Sequence, residues 1–170
     1  MVNKTELKIS NIQAHLIERV KYYTQVVNDT FPSLVFPTPS VQFFTKGTNA
    51  GKAQYSTHRV SFNIILAENN REDFDNTVIH ELAHLVTKMK FPAAKQHHGP
   101  EFKFVFIRLG GNGKRGHTYD CSHVPKRKKT VHIYKCTCQI HQISSIRHNK
   151  ILRKMASYRC ANCDTRLIAA

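Results

Sequence analysis

The first thirty residues have the repeat of a helix with one buried face. Apolar side chains recur every three or four positions between residues 10 and 27, which predicts an amphipathic α-helix over that range. Ser10 followed by Gln13 fits a capping box, so we expect the helix to begin there. Pro32 follows the last apolar turn and predicts its end.

Shorter segments with the period of β-strands come next. Residues 41–44 and 53–56 flank a glycine-containing turn, and residues 59–64 alternate polar with apolar side chains. This pattern predicts a small antiparallel sheet. An open edge of that sheet would accept an extended peptide as a further strand, although a purely structural edge fits the same pattern.

Two more helices are predicted after the strands. Acidic residues precede Thr77, and a helix macrodipole favours acids in the first turn, so a helix should begin there and run to about Met89, ahead of Pro92. Pro100 and Gly110 are start and stop signals for a third helix over the residues between them.

Three polar residues interrupt the apolar pattern of the second helix. His80 and His84 are four residues apart, so on an α-helix both rings lie on one face and can hold one ion. Glu81 lies beside that face, where a carboxylate can reach a metal-bound water. Burying these groups without partners would be costly. The pattern therefore predicts a zinc hydrolase site with Glu81 as its base, rather than a core helix with polar interruptions.

A catalytic zinc needs a third protein ligand from elsewhere in the chain. The loop between the second and third helices carries the candidates, and spacing alone leaves His97, His98 and Glu101 open.

The residues His80-Glu81-Leu82-Ala83-His84, together with His98-Gly99-Pro100-Glu101-Phe102, resemble the SprT family of zinc metallopeptidases. The eukaryotic relatives of that family include the Spartan DNA–protein crosslink protease. Residues 46–53 also resemble the hairpin that precedes this motif in bacterial SprT. The resemblance implies a zincin-like fold, peptidase activity, and His98 as the third zinc ligand.

Paired cysteines near the C-terminus predict a second, structural zinc site. Cys160-x-x-Cys163 has the spacing of a zinc knuckle, whereas Cys136-x-Cys138 is tight and His141 restores a two-residue gap. The ligands are therefore either the four cysteines, or three of these cysteines together with His141, which then replaces Cys136 or Cys138.

Charge distinguishes the two ends of the chain. The net charge is +15; residues 1–120 contain 15 Lys and Arg against 10 Asp and Glu, whereas residues 121–170 contain 11 against Asp164 alone. Such an excess favours a polyanionic partner, most simply DNA, over a solvated basic face. Tyr134 and Tyr158 are candidates for stacking on bases. The predicted phosphate contacts are Lys126, Arg127, Lys128, Lys129, Arg147, Lys150, Arg153 and Lys154.

Composition bounds the cellular context. The 41% hydrophobic content suits a globular protein, and no signal peptide or membrane span is evident, so we expect a cytoplasmic protein without membrane contact. All five cysteines lie beyond residue 120, which favours metal ligation over disulfides, with Cys121 as a free thiol.

The sequence thus predicts an α+β chain with a SprT-like zincin domain over residues 1–125 and a basic zinc ribbon over residues 126–170. We expect one catalytic and one structural zinc, and endopeptidase activity on DNA-bound or DNA-crosslinked proteins. His117 and Tyr119 are candidates for stabilising the oxyanion, although a structural turn with a packed tyrosine fits these residues better. The alternative is a nucleic-acid-binding zinc protein that does not cleave, whose metal site is structural or idle.

Overall fold

The computed structural model describes residues 4–125 and 130–170. The chain divides into two compact units, Met1–Lys126 and Arg127–Ala170, and each is described by itself. Both helices and small sheets are present, which confirms the mixed α+β class.

The described residues of the first unit, 4–125, form four helices and a three-stranded sheet. A single 3₁₀ turn, Tyr55–Thr57, separates the second strand from the third. The elements in chain order are α1 (Lys4–Thr30), β1 (Ser40–Phe44), β2 (Gly51–Gln54), β3 (Arg59–Asn63), α2 (Ile64–Asn69), α3 (Asp75–Lys90) and α4 (Pro100–Arg108).

Helix α1 is longer than its apolar repeat. The helix already includes Lys4, the first described residue, so Ser10 lies inside it and the predicted capping box at Ser10 and Gln13 is wrong. A polar first turn gives no periodic signal, which is why the pattern placed the start too late. The helix ends at Thr30, before Pro32, as predicted.

The order of strands in the sheet is β1-β3-β2. The predicted antiparallel sheet is wrong in part, because β1 pairs with β3 in parallel and only β2 pairs with β3 antiparallel. The central strand supplies the fully buried Val60 and Phe62. β1 and β2 are consecutive in the chain but are not neighbours, so β2 forms an outer strand.

Helix α2 was not predicted. The third strand ends at Asn63, whose side-chain oxygen accepts hydrogen bonds from the backbone N–H groups of Ile65 (3.1 Å) and Leu66 (3.4 Å). This cap satisfies free donors at the helix start. The Asn63 side-chain amide donates to the carbonyl of Gly47 at 2.9 Å and so joins the cap to the turn after β1.

The first turn of α3 is fastened to α1. Asp75 accepts hydrogen bonds from the guanidinium of Arg19, at 2.8 Å from Nε, and from the hydroxyl of Tyr23 at 3.1 Å. The acidic first turn predicted from the macrodipole is present. Its carboxylate also holds the start of α3 against α1.

The second unit is a small antiparallel sheet with one helix. Its core contains Tyr134, Ile143, Cys160 and Leu167, and the strand order is β5-β4-β6. Among residues 4–125 and 130–170, no helix combines the length and apolar character needed to cross a bilayer. The elements are β4 (Val131–Lys135), β5 (Ile140–Ser144), α5 (Ser145–Leu152) and β6 (Ile168–Ala169).

Candidate active site

Three histidines converge beside α3. His80 and His84 lie one turn apart on α3, and their Nε2 atoms are 3.2 Å from each other. His98 precedes α4, and its Nε2 atom lies 3.1 Å from that of His80. Ligands at the usual zinc–nitrogen distance in a tetrahedral arrangement are about 3.3 Å apart. The three nitrogens therefore fit one metal ion.

Burial keeps two of these rings neutral. Desolvation first, and neighbouring histidines second, lower the pKa of His80 to about 4 and that of His84 to about 3. Burial also lowers the pKa of His98. A neutral imidazole has the free lone pair that a metal requires, so the site needs little deprotonation before binding.

Phe102 supports all three rings, a contact that the sequence analysis missed. It is 3% exposed, and its ring centroid lies 4.4 Å from that of His84 and 4.9 Å from those of His80 and His98. Packing of this kind restricts rotation of the ligands. The available signal was its place in the segment His98-Gly99-Pro100-Glu101-Phe102, which resembles the SprT family.

Glu81 is buried beside the histidines, with 6% of its surface exposed. Burial raises the pKa of its carboxyl to about 8, and a hydrogen bond from the backbone of Ala53 on β2 acts in the opposite direction. Gly51, also on β2, leaves room for this side chain: a Cβ there would lie 2.6 Å from Glu81 Oε1. The outer strand therefore positions the carboxylate.

The two other candidates for the third ligand lie outside the histidine group. The group whose ligand atoms all lie within 4.8 Å of one another contains His80, His84 and His98. His97 instead places Nδ1 3.3 Å from the hydroxyl of Tyr55.

His117 and Tyr119 have other partners. Since the backbone N–H of Tyr119 donates to His117 Nδ1 (3.2 Å), the proton lies on Nε2, which donates to the carbonyl of Thr48 at 2.9 Å. The Tyr119 hydroxyl donates to the carbonyl of Asp73 and lies 3.0 Å from the hydroxyl of Thr77. These contacts are structural and lend no support to the predicted oxyanion role.

The second unit gathers the four predicted cysteines. The sulfur atoms of Cys136, Cys138, Cys160 and Cys163 all lie within 4.8 Å of one another. Tetrahedral thiolates around zinc are about 3.8 Å apart, so the set fits one ion. His141 lies outside the group but places Nε2 3.3 Å from Cys136 Sγ.

Cys121 lies apart from the cysteine group. It is half-buried against the core of the first unit, and its sulfur lies 3.4 Å from the carbonyl of Tyr119.

Four of the predicted phosphate-binding residues lie exposed on or just after α5: Arg147, Lys150, Arg153 and Lys154. The other four, Lys126, Arg127, Lys128 and Lys129, lie outside the described residues.

The two tyrosines predicted to stack on bases are engaged within the ribbon. Tyr134 is only 2% exposed, and its hydroxyl lies 3.2 Å from His148 Nδ1. Its predicted stacking role is therefore wrong. The guanidinium of Arg147 lies over the ring of Tyr158, 5.4 Å from the centroid, so that ring has one face covered.

Fold and site together define a mixed α+β protein with one three-histidine group and one four-cysteine group, each compatible with holding a metal ion. The model of the SprT-like family matches residues 16–124. The chain belongs to the SprT-like family, which confirms the resemblance found in the sequence.

Proteins similar to this chain carry the family's name. Protein SprT of Yersinia pestis is 33% identical over 158 residues, covering 92% of this chain and 90% of that protein. Protein SprT of Escherichia coli is 33% identical over 136 residues, covering 79% of this chain and 80% of that protein. A crystal structure of the metallopeptidase zymogen of Pyrococcus abyssi abylysin has a TM-score of 0.40 and 15% identity, covering 52% of this chain and 77% of that one.

Proposed function

We propose that the chain is a zinc-dependent endopeptidase of the SprT type that acts on DNA-bound or DNA-crosslinked proteins. The observation that carries the peptidase proposal is the buried carboxylate of Glu81 next to three converging imidazoles. Membership of the SprT-like family supports it. A protein that only binds nucleic acid has no need of a buried carboxylate there.

The residues of the site divide the chemistry among them. His80, His84 and His98 would hold the zinc, which when bound supplies Lewis acidity that activates water and polarises the scissile carbonyl. In its ionised form, which a bound cation would favour against the effect of burial, Glu81 takes the proton of the attacking water and passes it to the leaving amine. The hydrogen bond from Ala53 orients the carboxylate for both transfers.

The position of β2 suits an extended substrate. It is an outer strand of the sheet and packs beside α3. An outer strand can form backbone hydrogen bonds with an added peptide strand. A peptide bound in this way would run past Glu81, because Gly51 and Ala53 on β2 both approach that side chain.

Attachment to DNA is assigned to the second unit. From Cys121 onward the sequence contains one acidic residue, Asp164, and that residue pairs with Arg159. Arg147, Lys150 and Arg153 have no ion-pair partner among the described residues of the unit. Exposed cations on a ribbon held rigid by a metal are suited to contacting phosphates.

The substitution Glu81→Gln tests the catalytic proposal. It keeps the size of the side chain and removes its basicity, so cleavage of a DNA-bound protein should be abolished while zinc content and DNA affinity are retained. Zinc is measured by elemental analysis, and cleavage by gel assay with and without DNA. A Glu81→Gln protein that still cleaves would contradict the assignment of the base. Zinc-loaded wild-type protein that cleaves nothing would favour the binding protein instead.

Charge reversal in the second unit tests the proposed DNA binding separately from the catalytic proposal. Arg153→Glu with Lys154→Glu should weaken DNA binding and DNA-stimulated proteolysis together, with both zinc ions retained. Phosphate contacts release counterions, so wild-type affinity should fall steeply with salt, by several powers of the salt ratio. Reversal at Lys103 and Arg108 on α4 is the matched control. Salt-insensitive binding would refute the assignment of the ribbon.

A further inference from the structure

Two cavities open beside the histidine group. One, of about 290 Å³, is lined by His80 and Glu81 and also by Lys114 and Arg115. These two cations lie in the loop after α4 and have no part in the proposed proton transfer.

The second cavity, of about 180 Å³, is lined by His84 and by residues from the end of α3 and the loop that follows it. Two of these are the exposed Lys88 and Lys95. Because His80 and His84 are one helical turn apart, the cavities open at successive turns of α3.

The charges that line the cavities are almost all of one sign. Among the described residues, the two linings include four cations, Lys88, Lys95, Lys114 and Arg115, whereas Glu81 supplies the only carboxylate. Glu81 is already assigned to proton transfer. No other acidic group among the described lining residues is therefore left to neutralise the cations.

We propose that the cleft selects peptide segments with acidic side chains on both sides of the scissile bond. The proposal rests on the peptidase function above and names the substrate class of that site. A peptide whose scissile carbonyl lies at the histidines has to pass both cavities, so its neighbouring side chains meet these cations.

Within the part of the chain that the structure describes, the cations form no ion pair that would withhold them from a substrate, although Glu101 lines a further cavity with Lys95, and Asp73 lines one with Lys114. Lys88 donates to the carbonyl of Pro92 at 3.3 Å, which leaves two of its three donors free. None of Lys88, Lys95, Lys114 and Arg115 has an ion-pair partner among the described residues. A substrate carboxylate would be attracted to these cations, and a basic substrate side chain would be repelled by them. Both effects favour acidic over basic peptides.

This preference is compatible with substrates on DNA. Segments of a protein that hold DNA are basic and already occupied by phosphate, whereas its acidic segments face away from the DNA. A basic cleft would direct cleavage to the acidic segments. The phosphate backbone of DNA is the other polyanion that could contact these cations. The cations, however, are divided between two cavities next to the catalytic groups, and this arrangement suits separate acidic side chains better than a continuous row of phosphates.

Quenched fluorescent peptides of one length test the proposal on the zinc-loaded full chain. They carry acidic, neutral or basic residues at the two positions on either side of a central bond. Exposed ion pairs are each worth a factor of about two to five. Acidic peptides should therefore exceed basic ones in kcat/KM by about tenfold, and equal rates, or faster cleavage of basic peptides, would overturn the proposal.

Charge reversal assigns each cavity to one side of the bond. Lys88→Glu with Lys95→Glu should invert the preference on one side, and Lys114→Glu with Arg115→Glu should invert it on the opposite side. Lys103→Glu with Arg108→Glu on α4 is the control and should change neither. The comparison of acidic, neutral and basic peptides uses only the wild-type chain. It therefore still tests the proposal if one of the variants misfolds.

The remaining outcomes separate the two proposals. If the zinc-loaded wild type cleaves no peptide or protein, the peptidase function fails and this inference fails with it. If it cleaves without a charge preference, only the inference fails. A short DNA duplex that competes with peptide cleavage, and stops competing after reversal of the cleft cations, would show that phosphate occupies the cleft and would also overturn the inference.

Discussion

Replacing Gly51 by alanine should displace the catalytic carboxylate without unfolding the protein. The added Cβ would lie 2.6 Å from both Cγ and Oε1 of Glu81, and 2.9 Å from Cδ. The φ angle of Gly51 is outside the left-handed region, so the alanine backbone is not strained. Any effect on activity therefore comes from the contact with Glu81.

The size of the effect follows from that contact. Ordinary contacts of a Cβ begin at 3.4 Å, so Glu81 has to move by about 1 Å, and a misplacement of that size can cost about 100-fold in rate. This corresponds to about 2.7 kcal/mol of transition-state stabilisation. Removing a glycine from a strand returns about 0.5–1 kcal/mol of backbone entropy. The steric contact with the buried Glu81 costs about 1–3 kcal/mol, so the free energy of unfolding should fall by no more than about 2.5 kcal/mol.

The assay is kcat/KM on a fluorescent peptide, with zinc content and urea unfolding measured on the same sample. Gly116→Ala is the matched control, because Gly116 lines the same cavity and nothing lies within 4 Å of its added Cβ. In a Glu81→Gln background, Gly51→Ala should cost nothing more, since the displaced group is already inactive. Wild-type activity in Gly51→Ala, or a loss explained by lost zinc, would refute this reasoning.

Two further predictions concern the metal sites. His98→Ala should lower the zinc content from two ions to one, because the remaining two imidazoles hold zinc weakly; elemental analysis that still finds two ions would move the third ligand to His97 or Glu101. Cys160→Ser with Cys163→Ser should unfold only the second unit, since a structural zinc contributes directly to folding; unchanged amide-exchange protection in residues 130–170 would contradict the ribbon.

The helix that carries the motif could be predicted because its signals are local. The spacing of His80 and His84 determines which face they share, and Pro92 ends the helix near the observed Lys90. Helical geometry places the two side chains on one face, where their Nε2 atoms lie 3.2 Å apart. The position of His98 was different, since spacing left three candidates and only the family resemblance selected one.

Features that depend on distant partners could not be predicted. Helix α2 has only six residues, too few for a periodic pattern, and it depends on the cap from Asn63. Tyr134 was expected at the surface, but the sheet buries it against Ile143 and Cys160. A tyrosine next to cysteines looks the same in sequence whether it faces solvent or the core.

The placement of Glu81 shows why strand order matters for the chemistry. Had β1 and β2 formed the expected hairpin, β3 would have been free to take the outer position. Instead β3 pairs with both strands and leaves β2 outermost. Gly51 and Ala53 thereby reach a carboxylate about thirty residues further along the chain. Local sequence specifies the base, whereas its orientation depends on a long-range pairing that periodicity does not encode.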